Sequence, residues 1–427
     1  MKLEPWAAPL QRTMQLPGDK SITHRAMLFS VLAQGPMVVR GWLDAQDTRS
    51  SLNVARALGV SVTQTANGDL VLHGPGAAAM REPDEVLDCG NSGTTMRLTA
   101  GLLSGLHGIA VLSGDSSLRR RPMARVAEPL RAIGVTVLTR RDGQAPLIVQ
   151  GGPHSGGAVR LPIASAQVKS ALLLAGLSAD RPVQVAEPVR TRDHTERMLR
   201  AMGADLTVEG TTVTIHPGSV RGMEVQVPGD PSSAAFWAAA AALMPGSRLH
   251  LAGVLLNPSR IGFYRVLERM GVQITMRIAR QEPEPVGDLI IEGGALRGVR
   301  VAGAEVPDLV DEIPLVALLA ARAEGESLIT GAGELRVKES DRIHATVDGL
   351  SRMGARIAEL PDGFQIEGVP SLSGAEVDAY DDHRIAMMLT VASAIATGPT
   401  WLHGSESVAI SYPEFFQQMH SAQRGAG

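Results

Sequence analysis

Six times along this chain, a turn rich in Gly, Pro, Asp, Asn or Ser runs straight into a nearly apolar helical pattern. The stretches are PGDKSITHRAMLFSVLA, CGNSGTTMRLTAGLL, IASAQVKSALLLAGL, PGDPSSAAFWAAAAAL, VPDLVDEIPLVALLAA and YDDHRIAMMLTVASAIA. They recur roughly every seventy residues, a period that marks a repeated supersecondary unit. A helix that is apolar all round must be enclosed by other elements. Between these stretches lie amphipathic segments such as RPMARVAEPLRAIGVTV and HTERMLRAMGADLTV. Their closing glycine suits a left-handed C′ position, and the β-branched residues after it suit a short strand. A truncated last copy, SYPEFFQQMHSA, ends the series. Each unit therefore reads strand, buried helix, strand, amphipathic helix, then one or two strands. Six such units exceed one ordinary core, so the pattern predicts an α/β (α+β) chain of two lobes with three units each. An open doubly wound sheet is the alternative on pattern alone.

Composition narrows the function classes. Net charge is −4 and aromatics are 3% of 427 residues, which argues against a nucleic-acid partner. Cys89 is the one cysteine, so an internal disulfide framework is excluded and a reducing compartment is expected. MKLEPWAAPL lacks the apolar core of a signal peptide, and AAFWAAAAALM is too short to span a bilayer. The expectation is a cytoplasmic protein with no membrane partner.

The turns carry the chemistry. A helix N-terminus offers unpaired N–H groups and the positive end of a dipole, so it favours anions. Yet the first copy loads that end with Lys20, His24 and Arg25. Cations there cost a few tenths of a kcal/mol each unless an anion meets them. Asn91, Ser92, Gly93 and Thr94 form a glycine-opened nest of donors, and Ser165, Ala166 and Gln167 offer hydroxyl, backbone and amide donors. Asp311-Glu312 and Asp382-His383-Arg384 put titratable groups at the heads of two further helices. PGDPSS has no cation and reads as a cap only. Arg119, Arg120 and Arg121 precede a helix-starting proline, TRDHTER adds Arg192, and RVKESDRI packs Arg336, Lys338, Glu339, Asp341 and Arg342 together. Each feature alone reads as well as a cap or a solvated face. Together they suggest a cleft lined by cations and donors, sized for more than one small dianion. P-loop, G-x-G-x-x-G, HExxH, CxxC and G-x-S-x-G patterns are missing from the sequence. His24, His194, His344 and His383 therefore read as polar contacts rather than metal ligands.

The motifs PGDKSITHR, GNSGTTMRL, RRRPMARV, SAQVKSALLLAGL, PGDPSSAAF, DEIPLVALLAA, RVKESDRI and DDHRIAM run in order almost from end to end. On these the chain resembles the 5-enolpyruvylshikimate-3-phosphate synthase family of enolpyruvyl transferases. The resemblance implies two lobes, each of three βαβαββ units with buried helices, in an inverted α/β barrel-like arrangement. It implies hinge crossings near Gly18 and Gly229, with residues 1–18 and 229–427 in one lobe and 19–228 in the other, the site lying between them. It implies transfer of the enolpyruvyl group of phosphoenolpyruvate to the 5-hydroxyl of shikimate 3-phosphate, with no metal or organic cofactor, in a monomer.

By the same resemblance, Lys20 touches both substrates, and Ser21, Arg25, Ser165, Ala166, Gln167, Arg192, Asp311 and Lys338 serve shikimate 3-phosphate. Asn91, Gly93, Thr94, Arg121, Gln167, Arg342 and Arg384 serve phosphoenolpyruvate, with His383 as an additional candidate. Asp311 is expected to take the hydroxyl proton, while Lys338 and Glu339 are candidates for proton transfer at the methylene carbon. Lobes full of cations are expected to repel when empty and to close on anions. Two departures stand out. Glu334 occupies a place where many relatives have a neutral amide, and Ile410 one where a branch of the family has a lysine on phosphoenolpyruvate. Rival readings remain: an enolpyruvyl transferase for UDP-N-acetylglucosamine, which usually carries a reactive loop cysteine that SGDSSLRRRP lacks, and, in a different class, a non-catalytic anion-binding repeat scaffold or an RNA-end-processing relative of the same unit.

Overall fold

The computed structural model describes residues 1–423. The chain divides into two compact units, a continuous one of Gly18–Val227 and a discontinuous one of Met1–Pro17 with Pro228–Gly427.

In the continuous unit each repeat is a four-stranded sheet with one buried and one amphipathic helix. Leu87–Asp88, the Gly93–Leu102 helix, Ile109–Ser113, the Ala124–Ala132 helix, Thr136–Leu138 and Leu147–Gln150 follow one another as βαβαββ. The first strand pairs parallel with the second, which pairs antiparallel with the last, and Thr136–Leu138 takes the edge. Gly157–Arg160 to Ile215 repeats the same order around the Ala166–Gly176 and His194–Ala201 helices. The repeat that holds the Lys20–Phe29 helix draws its first strand, Glu224–Gln226, from the far end of the unit.

The discontinuous unit uses the same device in reverse. Gln11–Gln15 pairs parallel with Arg248–Leu255, so the strand that precedes the Pro231–Leu243 helix in space comes from near the N-terminus. The Ile313–Ala320 helix connects the first two strands of the sheet Arg300–Val301, Glu326–Ile329, Gly363–Glu367 and Arg356–Leu360. The truncated repeat has only Glu376–Asp378 and Thr400–His403, and Lys2–Leu3 supplies a third strand antiparallel to the latter. Its short last helix, Phe415–Gln423, drives Phe415 against Phe236 and Trp237 at ring separations of 5.9 and 6.4 Å.

The repeat helices are enclosed as their composition requires. Every residue of Pro231–Leu243, Ile313–Ala320 and His383–Ala394 is buried. The sequence pattern places the first helix from Ser21; it begins one residue earlier, at Lys20, because Asp19 caps it by accepting the Ile22 N–H at 2.7 Å. Among the described residues no helix is long and apolar enough to cross a membrane.

Gly101 sets how closely two of these helices approach. A Cβ there would lie 2.0 Å from the carbonyl oxygen of Ala171, so the Gly93–Leu102 and Ala166–Gly176 helices touch backbone to backbone. Their N-termini, with Thr94 and Gln167, are thereby held within hydrogen-bond reach. Gly101→Ala should destabilise the chain by about 3 kcal/mol, since the contact is backbone and has no flexible side chain to yield. Urea unfolding monitored by circular dichroism checks this; an unchanged midpoint would mean that the helices do not meet at this position.

Candidate active site

The continuous unit gathers most of its predicted residues at three helix starts. Lys20 opens the Lys20–Phe29 helix, and its ammonium lies 3.1 Å from Asp47, with side chains 21% and 10% exposed. Arg25, one turn on, is buried and donates through Nη1 to the Ser21 carbonyl at 3.0 Å. It also donates through Nε to Thr195 at 2.8 Å and through Nη2 to Ser170 at 3.1 Å. Ser21 is half-buried at the same turn.

The Gly93–Leu102 helix is capped by Ser92, which accepts the Thr95 N–H at 3.1 Å. Gly93 faces two guanidinium groups: a Cβ at that point would lie 3.0 Å from Arg97 Nη1 and 3.3 Å from Arg121 Nη1. Arg121 donates to the side-chain Oδ1 of Asn91 at 2.6 Å, and the Asn91 side-chain amide donates in turn to Asp115 at 2.7 Å. Of the arginine triplet only Arg121 is buried; Arg119 and Arg120 face solvent. Gln167 donates to Thr94 at 2.9 Å and accepts from Arg97. Ser165 caps the helix that begins at Ala166, and Ser165, Ala166 and Gln167 are all half-buried. Arg192 is half-buried just before the His194–Ala201 helix.

Asn91, Gly93, Thr94, Arg97, Arg121 and Gln167 thus form one cluster. Local pattern does not single out Arg97; the one signal for it in the sequence is its i+4 spacing from Gly93, which puts it one turn along on the same face.

The discontinuous unit centres on Arg342, whose side chain is 1% exposed. Its Nε donates to Asp382 at 2.7 Å, Nη2 to Glu339 at 2.6 Å and Nη1 to Asp311 at 3.4 Å. Burial alone would make this guanidinium easier to deprotonate, but Asp382, Glu339 and Asp311 overcome that and hold it above its ordinary range. Burial works against the Asp382 carboxylate too, yet Arg342 keeps it below the usual carboxylate range. Asp382 also caps the His383–Ala394 helix through the Arg384 N–H at 2.9 Å. His383, the first residue of that helix, is buried beside it.

Arg384 is held by longer contacts, to the Asp311 carbonyl at 3.3 Å, Glu312 at 3.5 Å and the Asp311 carboxylate at 3.6 Å. Asp311 therefore stands between two guanidinium groups. Lys338 lies 3.4 Å from Glu334. Ile410 is half-buried in the turn Ser405–Ile410.

Two expectations need correction. PGDPSS is more than a cap: Asp230 caps the Pro231–Leu243 helix and also meets buried Arg260 at 3.1 Å, while Ser232 donates to Glu312. The cation missing from the motif arrives from a residue thirty positions away in sequence. Nor are these units full of bare cations, because Lys20, Arg342 and Arg384 already face carboxylates within their own units. Charge complementarity of this kind is expected where cations must be buried with no substrate present. Cys89 is fully buried and burial pushes its thiol up, so it is a packed thiol rather than a nucleophile.

The fold defined by this chain is that of the two-lobed enolpyruvyl transferases. It superposes on the enolpyruvyl transferase NikO from Streptomyces tendae with a TM-score of 0.78 at 20% identity, over 99% of this chain and 96% of that one. A solved EPSP synthase from Acinetobacter baumannii aligns with a TM-score of 0.88 and 41% identity, over 99% and 97% of the two chains. Residues 6–419 match the family model of EPSP synthase (3-phosphoshikimate 1-carboxyvinyltransferase). Proteins named 3-phosphoshikimate 1-carboxyvinyltransferase are 47% identical in Chloroflexus aurantiacus, over 98% of both chains, and 50% identical in Synechococcus sp., over 96% of this chain and 95% of the relative. The chain belongs to the EPSP synthase family.

Near Lys20 a buried polar chain joins two of the helix starts. His24 Nδ1 lies 2.8 Å from Ser51 Oγ, Ser51 2.8 Å from Thr95 Oγ1, and Thr95 donates to Ser92 at 2.7 Å. Burial, with Lys20 and Arg25 nearby, drives His24 well below its ordinary 6.5. A histidine kept neutral in the fold stabilises it above pH 6.5 and loses that contribution as the pH falls below this value. Stability of the wild type should therefore drop by up to about 1.4 kcal/mol per pH unit more than that of His24→Asn on going from pH 6.5 toward 5. Urea titrations at several pH values test it; parallel slopes for the two proteins would show that His24 is not held neutral.

Proposed function

We propose that this chain carries out the reaction of its family: the enolpyruvyl group of phosphoenolpyruvate is transferred to the 5-hydroxyl of shikimate 3-phosphate, and phosphate is released. The observation that carries it is the contrast between Arg342, anchored to Asp382, and Arg384, held only by contacts of 3.3–3.6 Å.

Phosphoenolpyruvate presents a carboxylate and a phosphate, each matched by a planar guanidinium fork. Arg384 is loosely engaged and can be taken over by a better-placed anion, while Asp382 keeps Arg342 in position. Arg121, with Asn91, Gly93 and Thr94 at an adjoining helix start, serves the same substrate in this reading, and Gln167 and Lys20 reach both substrates. Shikimate 3-phosphate is assigned to Ser21, Arg25, Ser165, Ala166, Gln167, Arg192 and Lys338. The glycine at position 93 leaves room where a methyl group would crowd Arg97 and Arg121.

The chemistry follows from the charges. The attacking 5-hydroxyl must lose a proton while carbon 3 of phosphoenolpyruvate gains one and carbon 2 takes on positive character. The resulting tetrahedral phospho-ketal then expels phosphate, and a proton leaves the new methyl group to restore the double bond. Asp311 acts as acceptor of the hydroxyl proton. Before substrate arrives its carboxylate is engaged by Arg342 and Arg384. An anion that takes those guanidinium groups releases Asp311 to accept a proton, so binding and activation are coupled. Glu339 and Lys338 act at the methylene carbon. Cations stabilise the departing phosphate, and holding two small anions together removes much of the entropic barrier. The chain is read as a monomer acting in the cytoplasm.

Initial rates of phosphate release with phosphoenolpyruvate and shikimate 3-phosphate test the assignment, with UDP-N-acetylglucosamine as the comparison acceptor. Release is expected with the first acceptor alone. Asp311→Asn and Glu339→Gln should each lower kcat by about 10²–10⁴-fold with small changes in KM, the range for loss of a positioned acid or base. Arg384→Lys should instead raise KM for phosphoenolpyruvate by about tenfold or more, because an ammonium does not reproduce the bidentate fork. Full activity of Asp311→Asn would remove this carboxylate from the mechanism.

A further inference from the structure

The continuous unit contains a buried charge cluster that the reaction as described does not use. Lys169 lies in the first turn of the Ala166–Gly176 helix, with its side chain 2% exposed. Its ammonium is 2.8 Å from Glu187 and 2.7 Å from Glu196, whose side chains are 2% and 4% exposed. Glu187 follows the Val183–Ala186 strand, and Glu196 lies in the first turn of the His194–Ala201 helix. The second oxygen of Glu187 accepts from the Thr191 hydroxyl, next to Arg192. Ser170 and Thr195, the immediate neighbours of Lys169 and Glu196, lie 2.6 Å apart, and both accept from Arg25.

One ammonium therefore ties together a helix start, a strand end, the loop 187–193 and the next helix. Taking three charged groups out of water is expensive, and apolar residues of the same size often serve stability as well or better. Burial pushes the Glu196 acid up even against the pull of Lys169, which is the mark of that cost. What the cluster does supply is geometry. Its two arms end on the partners of Arg25 and on the residue before Arg192.

We propose that Lys169 is a positioning residue for shikimate 3-phosphate: through Glu187 and Thr191 it fixes the loop bearing Arg192, and through Glu196, Thr195 and Ser170 it fixes the guanidinium of Arg25. The inference rests on the assignment of Arg25 and Arg192 to that substrate. Both arginines must present their forks at a set distance, and a misplacement of about 1 Å can cost up to 10²-fold. Lys169 itself touches no substrate in this account.

The test compares full-length wild type, Lys169→Met, Glu187→Gln and Thr191→Val by calorimetric titration with shikimate 3-phosphate and by initial rates varied in each substrate. Lys169→Met should weaken shikimate 3-phosphate binding about tenfold or more and raise its KM in parallel. KM for phosphoenolpyruvate should stay within about twofold, a split that general loss of stability does not produce. Thr191→Val cuts only the arm to the loop, leaves the buried ion triad in place, and should give a smaller loss confined to the same substrate. It keeps the question answerable if Lys169→Met does not fold. Wild-type binding with unchanged affinity in the folded variants overturns the positioning role alone. A wild type that does not bind shikimate 3-phosphate overturns the substrate assignment, and this inference with it.

Discussion

Arg342 is a full positive charge with 1% of its side chain in solvent, and its surroundings in the discontinuous unit are arranged to satisfy it. Asp382 gives it a carboxylate that also caps a buried helix, so the charge is fixed to a rigid element. Glu339 comes from the segment just before its own helix, and Asp311 from the turn that opens another. Breaking one such buried pair leaves the other charge stranded, at a cost of about 3–5 kcal/mol. The site is therefore stable without substrate because acidic groups stand where negative charge is needed. Two of those acids, Asp311 and Glu339, are the ones the proposed mechanism uses for proton transfer.

The continuous unit meets the same problem at its helix starts. Lys20 meets Asp47, Arg121 meets Asn91, and Arg97 meets Gln167, each acceptor coming from a neighbouring helix start or loop. The repeat explains why these groups meet at all. Each buried helix begins with a polar turn, and packing as close as Gly101 against Ala171 brings neighbouring turns together. A motif that looks like a cap in isolation then becomes part of a wall of donors.

Much of this was legible in the sequence, for a physical reason. The apolar helices are so uniform that only an enclosed position suits them, and the Pro231–Leu243 helix is buried at every residue. The polar turns were legible because cations at a helix N-terminus conflict with the dipole unless something offsets them. Partners distant in the chain were not legible. Nothing near PGDPSS announces Arg260, and nothing near SAQVKS announces that Lys169 would find Glu187 and Glu196. The pairing of Glu224–Gln226 with the first repeat was hidden for the same reason, since local periodicity carries no pairing information; the N-terminal strand Gln11–Gln15 was placed with the C-terminal half by the resemblance and not by its pattern. Arg97 was hidden differently: inside MRL it reads as one polar residue on an apolar helix, and its i+4 spacing from Gly93 gains meaning only once that glycine is seen to face its guanidinium.

The central claim is that this chain joins two anionic metabolites by means of its carboxylates and guanidinium groups. Carbon-13 spectroscopy with phosphoenolpyruvate labelled at carbon 2 follows that event directly. With shikimate 3-phosphate present, the label should leave the phosphate ester and reappear as an enol ether carbon, with one phosphate freed for each ether formed. Label that stays in phosphoenolpyruvate, or is lost to pyruvate without an ether signal, would contradict the account.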